Sequence, residues 1–176
     1  MYQGIIIAGF GGQGVVSMGI LLAYAGMVDG KYVTFFPAYG AEMRGGTANC
    51  SVIISTDEIA APVVGQPDSV VVMNEPSFSK FEPMLKPGGR LFINSSLVSS
   101  RSKRDDIEVI EIPVNKIAEE IGTLKIANMV MAGALIKHTG AIASEAVVKS
   151  LPKVYKRAKP EILKLNEVAV KRGAEY

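Results

Sequence analysis

Gly4-Ile5-Ile6-Ile7-Ala8-Gly9-Phe10-Gly11-Gly12-Gln13-Gly14-Val15 is an apolar run that breaks abruptly into glycines. Its three successive isoleucines show no polar alternation, which is the pattern of a central strand buried on both faces of a parallel sheet. From Val15 to Val28 polar positions are few, so the spacing predicts a helix packed between a sheet and a second surface. Asp29 and Gly30 stop that helix, and Lys31 to Phe36 reads as a second strand closed by Pro37. Strand, glycine loop, helix and strand within about 35 residues is the span of a βαβ unit. The expected fold class is therefore α/β: a Rossmann-like domain with a mostly parallel sheet flanked by helices.

Working outward, Thr47 to Ser55 and Ser69 to Met73 read as strands, and Glu75-Pro76 after the second of these suits a helix start. Leu85 to Gly89 is a loop ending that helix. Arg90 to Asn94 and Ile107 to Ile112 are strands on either side of a polar stretch, Ser95 to Asp106, expected to be an exposed loop. Beyond Pro113 the period becomes helical. Ile126, Met129, Val130, Gly133 and Ile136 share one face, and Gly140 fits a helix C-cap. Glu145 to Leu151 and Glu161 to Arg172 predict two further helices, so the C-terminal region is helical. No repeat or low-complexity segment interrupts a single domain over residues 1–176.

Composition narrows the function classes. The 19 basic and 17 acidic side chains nearly cancel to a net charge of +2, so there is no strong field to attract nucleic acid or an anionic membrane. The single cysteine, Cys50, cannot supply the several thiolates that an iron-sulfur cluster or structural zinc takes. Met1-Tyr2-Gln3 leads straight into the apolar run with no basic segment, unlike a secretory signal. No apolar stretch reaches the roughly 18 residues of a membrane span. A soluble, cytoplasmic, metal-free chain is expected.

Gly9-Phe10-Gly11-Gly12-Gln13-Gly14 matches G-x-G-x-x-G between a strand and a helix, the context in which bare backbone and free helix-terminal N–H groups meet an anion. Three readings stay open: a nicotinamide dinucleotide, another phosphate-bearing group such as coenzyme A, or glycines that only permit close packing. The first also needs an acid at the end of the second strand. Here that strand ends in Phe35-Phe36-Pro37, and Asp29 precedes it. A second unusual segment, Pro37-Ala38-Tyr39-Gly40-Ala41-Glu42-Met43-Arg44-Gly45-Gly46, follows directly, and at the carboxyl end of a parallel strand it should stand beside the glycine loop. Tyr39, Glu42 and Arg44 are its candidate contacts. His138, Cys50 and the basic group Lys153, Lys156, Arg157 and Lys159 read more simply as a helix-terminal histidine, a buried thiol and a solvated face.

These two motifs in this order, followed by Val52-Ile53-Ile54-Ser55, Pro67-Asp68 and Leu85-Lys86-Pro87-Gly88-Gly89, resemble the gamma subunit of 2-oxoacid:ferredoxin oxidoreductases. The resemblance carries over to Gly9, Gly11, Gly12, Gln13, Gly14, Tyr39, Gly40, Glu42, Arg44, Gly45 and Gly46 as the family's marked positions. It implies a complex with alpha, beta and delta subunits, in which thiamine diphosphate and iron-sulfur clusters reside elsewhere and electrons pass to ferredoxin. It also implies decarboxylation of a 2-oxoacid to its acyl-coenzyme A. The Pro37-Ala38-Tyr39-Gly40 form looks more like the 2-oxoglutarate branch than the pyruvate branch. No catalytic residue and no cofactor is expected in this chain itself, although its two loops are expected near coenzyme A, with Gln13 and Arg44 available to polar or phosphate groups. Homodimerisation stays open. A stand-alone NAD(P)-dependent reductase and a ligand-free assembly module are the rival readings.

Overall fold

The computed structural model describes residues 1–38 and 47–176. Among these residues six strands form one sheet: β1 (Tyr2–Phe10), β2 (Tyr32–Ala38), β3 (Thr47–Ser55), β4 (Ser69–Val72), β5 (Arg90–Asn94) and β6 (Glu108–Ile112). Their order across the sheet is β2-β3-β1-β4-β5-β6. β1, β4, β5 and β6 pair in parallel, whereas β3 runs antiparallel to both β1 and β2. Five strands thus share one direction, as a mostly parallel sheet requires.

The first βαβ unit is split. β2 runs parallel to β1 but does not touch it, because β3 lies between them in register Phe10↔Thr47 to Tyr2↔Ser55. β2 becomes the edge of the sheet. That place explains why the strand continues through Pro37 to Ala38 rather than stopping, since an edge residue needs no outward N–H.

Helix α1 (Val15–Val28) covers one face of β1, β2 and β3. It lies very close to them at two glycines seven residues apart. A Cβ on Gly19 would press on Cys50 and Phe35, and one on Gly26 would come within 2.7 Å of Val33. On the same face α4 (Ala127–Thr139) packs on β5, and α3 (Val114–Ile121), α5 (Ser144–Val154) and α6 (Pro160–Gly173) surround it. Residues 127–136 of α4 are buried all round, enclosed by the sheet on one side and by neighbouring helices on the others. Gly140, at φ 61°, ends α4 as expected.

The opposite face holds a second apolar cluster, in which Ile6, Val70, Val72, Leu91 and Ile93 meet Phe78 and Phe81 of the short helix α2 (Glu75–Phe81). Asn74 caps α2, its side chain accepting from Ser77 N at 2.9 Å. The stretch 95–106 has no regular structure, but it is not simply an exposed loop. Val98 is buried in the second cluster, Glu75 accepts from the backbone N–H of Ser99, and Arg104 donates to the carbonyls of Glu82 and Leu85. Several of its polar residues, Ser99, Ser100, Ser102 and Arg104 among them, tether it.

Candidate functional site

β1, β4 and β5 end at the same rim, and in an open parallel sheet that rim is where ligands approach. The glycine loop follows β1 there. Gly12 takes φ 98°, a conformation that L side chains rarely adopt, and a Cβ on it would meet nothing, so this bend faces open space. Gly14, at φ 72°, is the N-cap of α1 and brings no side-chain cap to it. The first-turn N–H groups of α1 therefore have no partner within the helix, and no acid lies in that turn. A cleft of about 320 Å³ opens over this helix start, lined by Phe10, Gly11, Gly12, Val16, Ser17 and Ala48.

Gln13 does something other than wait for a phosphate. Its Oε1 accepts from the backbone N–H of Phe10 at 2.6 Å, and its Nε2 donates to the carbonyl of Met73 at 3.0 Å. The amide closes the loop on itself and ties it to the end of β4. Gly9 fits beneath that amide, because a Cβ there would stand 2.7 Å from Gln13 Oε1 and 2.8 Å from Met73 Cβ. Asn94 at the end of β5 donates to the same Met73 carbonyl at 3.3 Å, so a chain of side-chain amides links the three strand ends.

Gly14 is fixed from the far side by a residue that sequence reasoning passed over. Asn128, in the first turn of α4 and 5% exposed, donates from Nδ2 to the Gly14 carbonyl at 3.0 Å. The signal was present, as one polar residue in an otherwise apolar helical run, but nothing local connects positions 114 residues apart.

Of the second motif, Tyr39, Gly40, Glu42, Arg44, Gly45 and Gly46 lie outside the described residues. Both flanks of that segment are placed. Ala38 ends β2 opposite Asn49, and Thr47 opens β3 opposite Phe10, at the rim where the glycine loop begins. The dinucleotide reading loses support from the same topology, because β3 separates the end of β2 from the glycine loop and no acid ends β2. Asp29 is engaged elsewhere. It pairs with Lys31 Nζ at 2.5 Å and accepts from Ala143 N at 3.2 Å, and the Lys31 hydrogen bond holds its carboxyl below the usual carboxylate range.

Cys50 is buried, its thiol pushed up to about 12 by desolvation, so it is neither a nucleophile nor a ready ligand. Among the described residues no three His, Cys, Asp or Glu side chains converge as a metal site would need. The donor set does not fit an iron-sulfur cluster, which takes thiolates this chain lacks. No helix among the described residues is long and apolar enough to cross a membrane. His138 closes α4, its Nε2 lying 2.9 Å from the backbone oxygen of Tyr176 and its ring edge-on to Phe92 at 5.8 Å. Lys153, Lys156, Arg157 and Lys159 are all exposed.

Comparison with known proteins agrees with this geometry. The family model described as pyruvate ferredoxin/flavodoxin oxidoreductase matches residues 4–176. The 2-oxoglutarate synthase subunit KorC of Methanothermobacter marburgensis is 39% identical over 163 residues, covering 86% of this chain and 88% of that protein. The ketoisovalerate oxidoreductase subunit VorA of the same organism is 35% identical over 170 residues. That match takes in 97% of this chain but only 35% of VorA, so the chain spans about a third of that relative's length. Among solved structures, the keto/oxoacid ferredoxin oxidoreductase gamma subunit from Geobacter sulfurreducens superimposes with a TM-score of 0.84 at 30% identity, covering 98% of this chain and 96% of that one.

Proposed function

The chain belongs to the pyruvate ferredoxin/flavodoxin oxidoreductase family, and from that membership we propose that it is the gamma-type subunit of a 2-oxoacid:ferredoxin oxidoreductase. It forms one domain over residues 1–176 and works in the cytoplasm. The complex decarboxylates a 2-oxoacid, transfers the acyl group to coenzyme A and passes the electrons to ferredoxin. Its substrate is 2-oxoglutarate. Alpha, beta and delta subunits are the partners, and thiamine diphosphate and the iron-sulfur clusters belong to them. This chain supplies no catalytic residue and is inactive alone.

The observation that carries this reading is the family match over residues 4–176, with the glycine loop and Thr47, the flank of the second motif, at one rim of the sheet. The role of this chain follows from that rim. Uncapped N–H groups at the start of α1 favour a phosphate, and Gly11 and Gly12 let it approach the backbone closely. Gln13 holds the loop in that shape through its two amide contacts. Arg44, in the same segment of sequence as Tyr39, Glu42, Gly45 and Gly46, supplies a guanidinium to the diphosphate of coenzyme A or to a neighbouring subunit.

Purification of the native chain under anaerobic conditions tests the assembly: thiamine- and cluster-bearing subunits should accompany it, and a chain that purifies alone would refute the reading. In the assembled enzyme, 2-oxoglutarate should reduce ferredoxin faster than pyruvate or ketoisovalerate does. Arg44→Ala should raise the KM for coenzyme A with assembly intact; an unchanged constant removes the loop from the coenzyme's path.

A further inference from the structure

Next to the glycine loop lies a second cavity of about 490 Å³ that shares Gly14 and Ser17 with the cleft over α1. It is walled by the start of α1, by the turn Gly122–Ile126, by the first turn of α4, by Tyr155 and by α6. The polar groups that reach it are unusual for a packing defect. Asn166 is 5% exposed, makes no side-chain hydrogen bond among the described residues and lines the cavity, and because its amide atoms are not fully sealed they stay open to whatever fills that space. Asn128 lines the same space with its Nδ2 committed to Gly14, which leaves its carbonyl oxygen available. Tyr155 presents a half-buried ring whose phenol is raised by desolvation, with the Asn128 amide acting in the opposite direction.

The remaining wall carries the hydroxyls of Ser17 and Thr123 and is otherwise apolar or positive. Ile126, Ile162 and Leu165 provide flat aliphatic surface. Lys125 is the one charged residue in the lining and is exposed at its rim without an acidic partner among the described residues, while the exposed Lys156 and Arg157 follow Tyr155 directly. The acids adjacent in sequence to lining residues, Glu161 beside Ile162 and Glu167 beside Asn166, do not line the cavity, and Glu167 pairs with Lys171. An amide that both donates and accepts, an aromatic ring and aliphatic faces suit a purine, whose edge carries a donor beside an acceptor. A lysine and a helix start suit a phosphate.

We propose that this cavity binds the adenine ring of a phosphate-bearing adenine nucleotide, read by Asn166 and Asn128 against Tyr155, with the phosphate held between Lys125 and the first turn of α1. The proposal deepens the coenzyme A reading, on which it partly rests. The head of coenzyme A and a free adenine nucleotide carry this same chemistry.

Calorimetric titration of the full chain, alone and in the assembled complex, separates the two sources. The probes are adenosine 3′,5′-bisphosphate for the coenzyme head, ATP for a free nucleotide, and inorganic phosphate as the control. One or both adenine compounds should bind, phosphate alone should compete poorly, and Asn166→Ala and Lys125→Ala should each weaken binding by about tenfold, the worth of one lost polar contact. Lys125 is exposed, so its variant tests the site even if Asn166→Ala folds poorly. Adenine compounds that bind no better than phosphate, or binding indifferent to Lys125→Ala and to a folded Asn166→Ala, would overturn the proposal. If Arg44→Ala leaves the KM for coenzyme A unchanged while Asn166→Ala still weakens ATP, the coenzyme reading fails and the nucleotide cavity stands.

Discussion

Gly133 of α4 and Gly173 of α6 sit where those helices come so close that backbone meets backbone. A Cβ on Gly133 would overlap the Val170 carbonyl oxygen and stand 2.8 Å from its carbon and 3.0 Å from Ala174 N. Gly133→Ala sets two effects against each other. Alanine is the better helix former by about 1 kcal/mol. Against this, the obstructing atoms are main chain and cannot rotate away, so the helices must part by about 1 Å, which forfeits a quarter to a half of the dispersion energy of atoms in that contact. Overpacking of this kind costs about 3 kcal/mol at the upper end of its usual range. The clash wins, and the expected net loss is about 2 kcal/mol, or roughly 4–8 °C in Tm for a chain of this size. Urea unfolding of the full chain, with an unchanged m-value, measures it. Gly65→Ala is the control, since a Cβ there meets nothing within 4 Å and φ is not positive; it should be neutral or gain about 0.5 kcal/mol. Gly173→Ala, whose Cβ would overlap the Val130 carbonyl oxygen, should cost less once Gly133→Ala has already parted the helices. A Gly133→Ala protein as stable as the parent would refute the close approach.

Gln13→Ala removes both amide contacts that shape the glycine loop; it should cost about 1–2 kcal/mol of stability and weaken coenzyme A binding, checked by urea midpoint and by titration of the complex. Cys50, with its thiol raised to about 12 by burial, should resist alkylation by iodoacetamide in the folded chain at pH 8 and react on denaturation; rapid modification of the native chain would contradict the burial. Asp29 is held below its usual value chiefly by Lys31, so the folded state binds its proton less readily than the unfolded one. The resulting stability is present above the ordinary aspartate value and disappears as pH falls through the lowered one. Lys31→Met should therefore lower the urea midpoint at pH 7, with the difference from the parent closing in acid.

Local reading recovered the elements whose signals are local. Val15–Val28, Thr47–Ser55 and Arg90–Asn94 begin and end where apolar spacing and flanking turn residues placed them. β1 is central because its isoleucines face apolar layers on both sides. The helix α3 and the tethers of 95–106 were not separated out, since a short amphipathic turn and a polar stretch look alike until their partners are known. Gln13 was legible as a special residue but not in its role, which depends on a carbonyl 60 residues away. Asn128 and Asn166 were not singled out, because an asparagine in an apolar helix has no meaning until something stands opposite it.

Residue type and order determined that this chain alternates strands and helices, where its central strand lies, that a glycine turn opens its first helix, and which family its motifs resemble. Only the tertiary structure decided that β3 enters between β1 and β2, that the amide of Gln13 closes the glycine loop, and that two distant helices enclose a cavity beside it. The division follows from range. Backbone preference and hydrophobic period act over a few residues, whereas strand order and buried amide pairing are settled by contacts between segments that meet only when the whole core is packed.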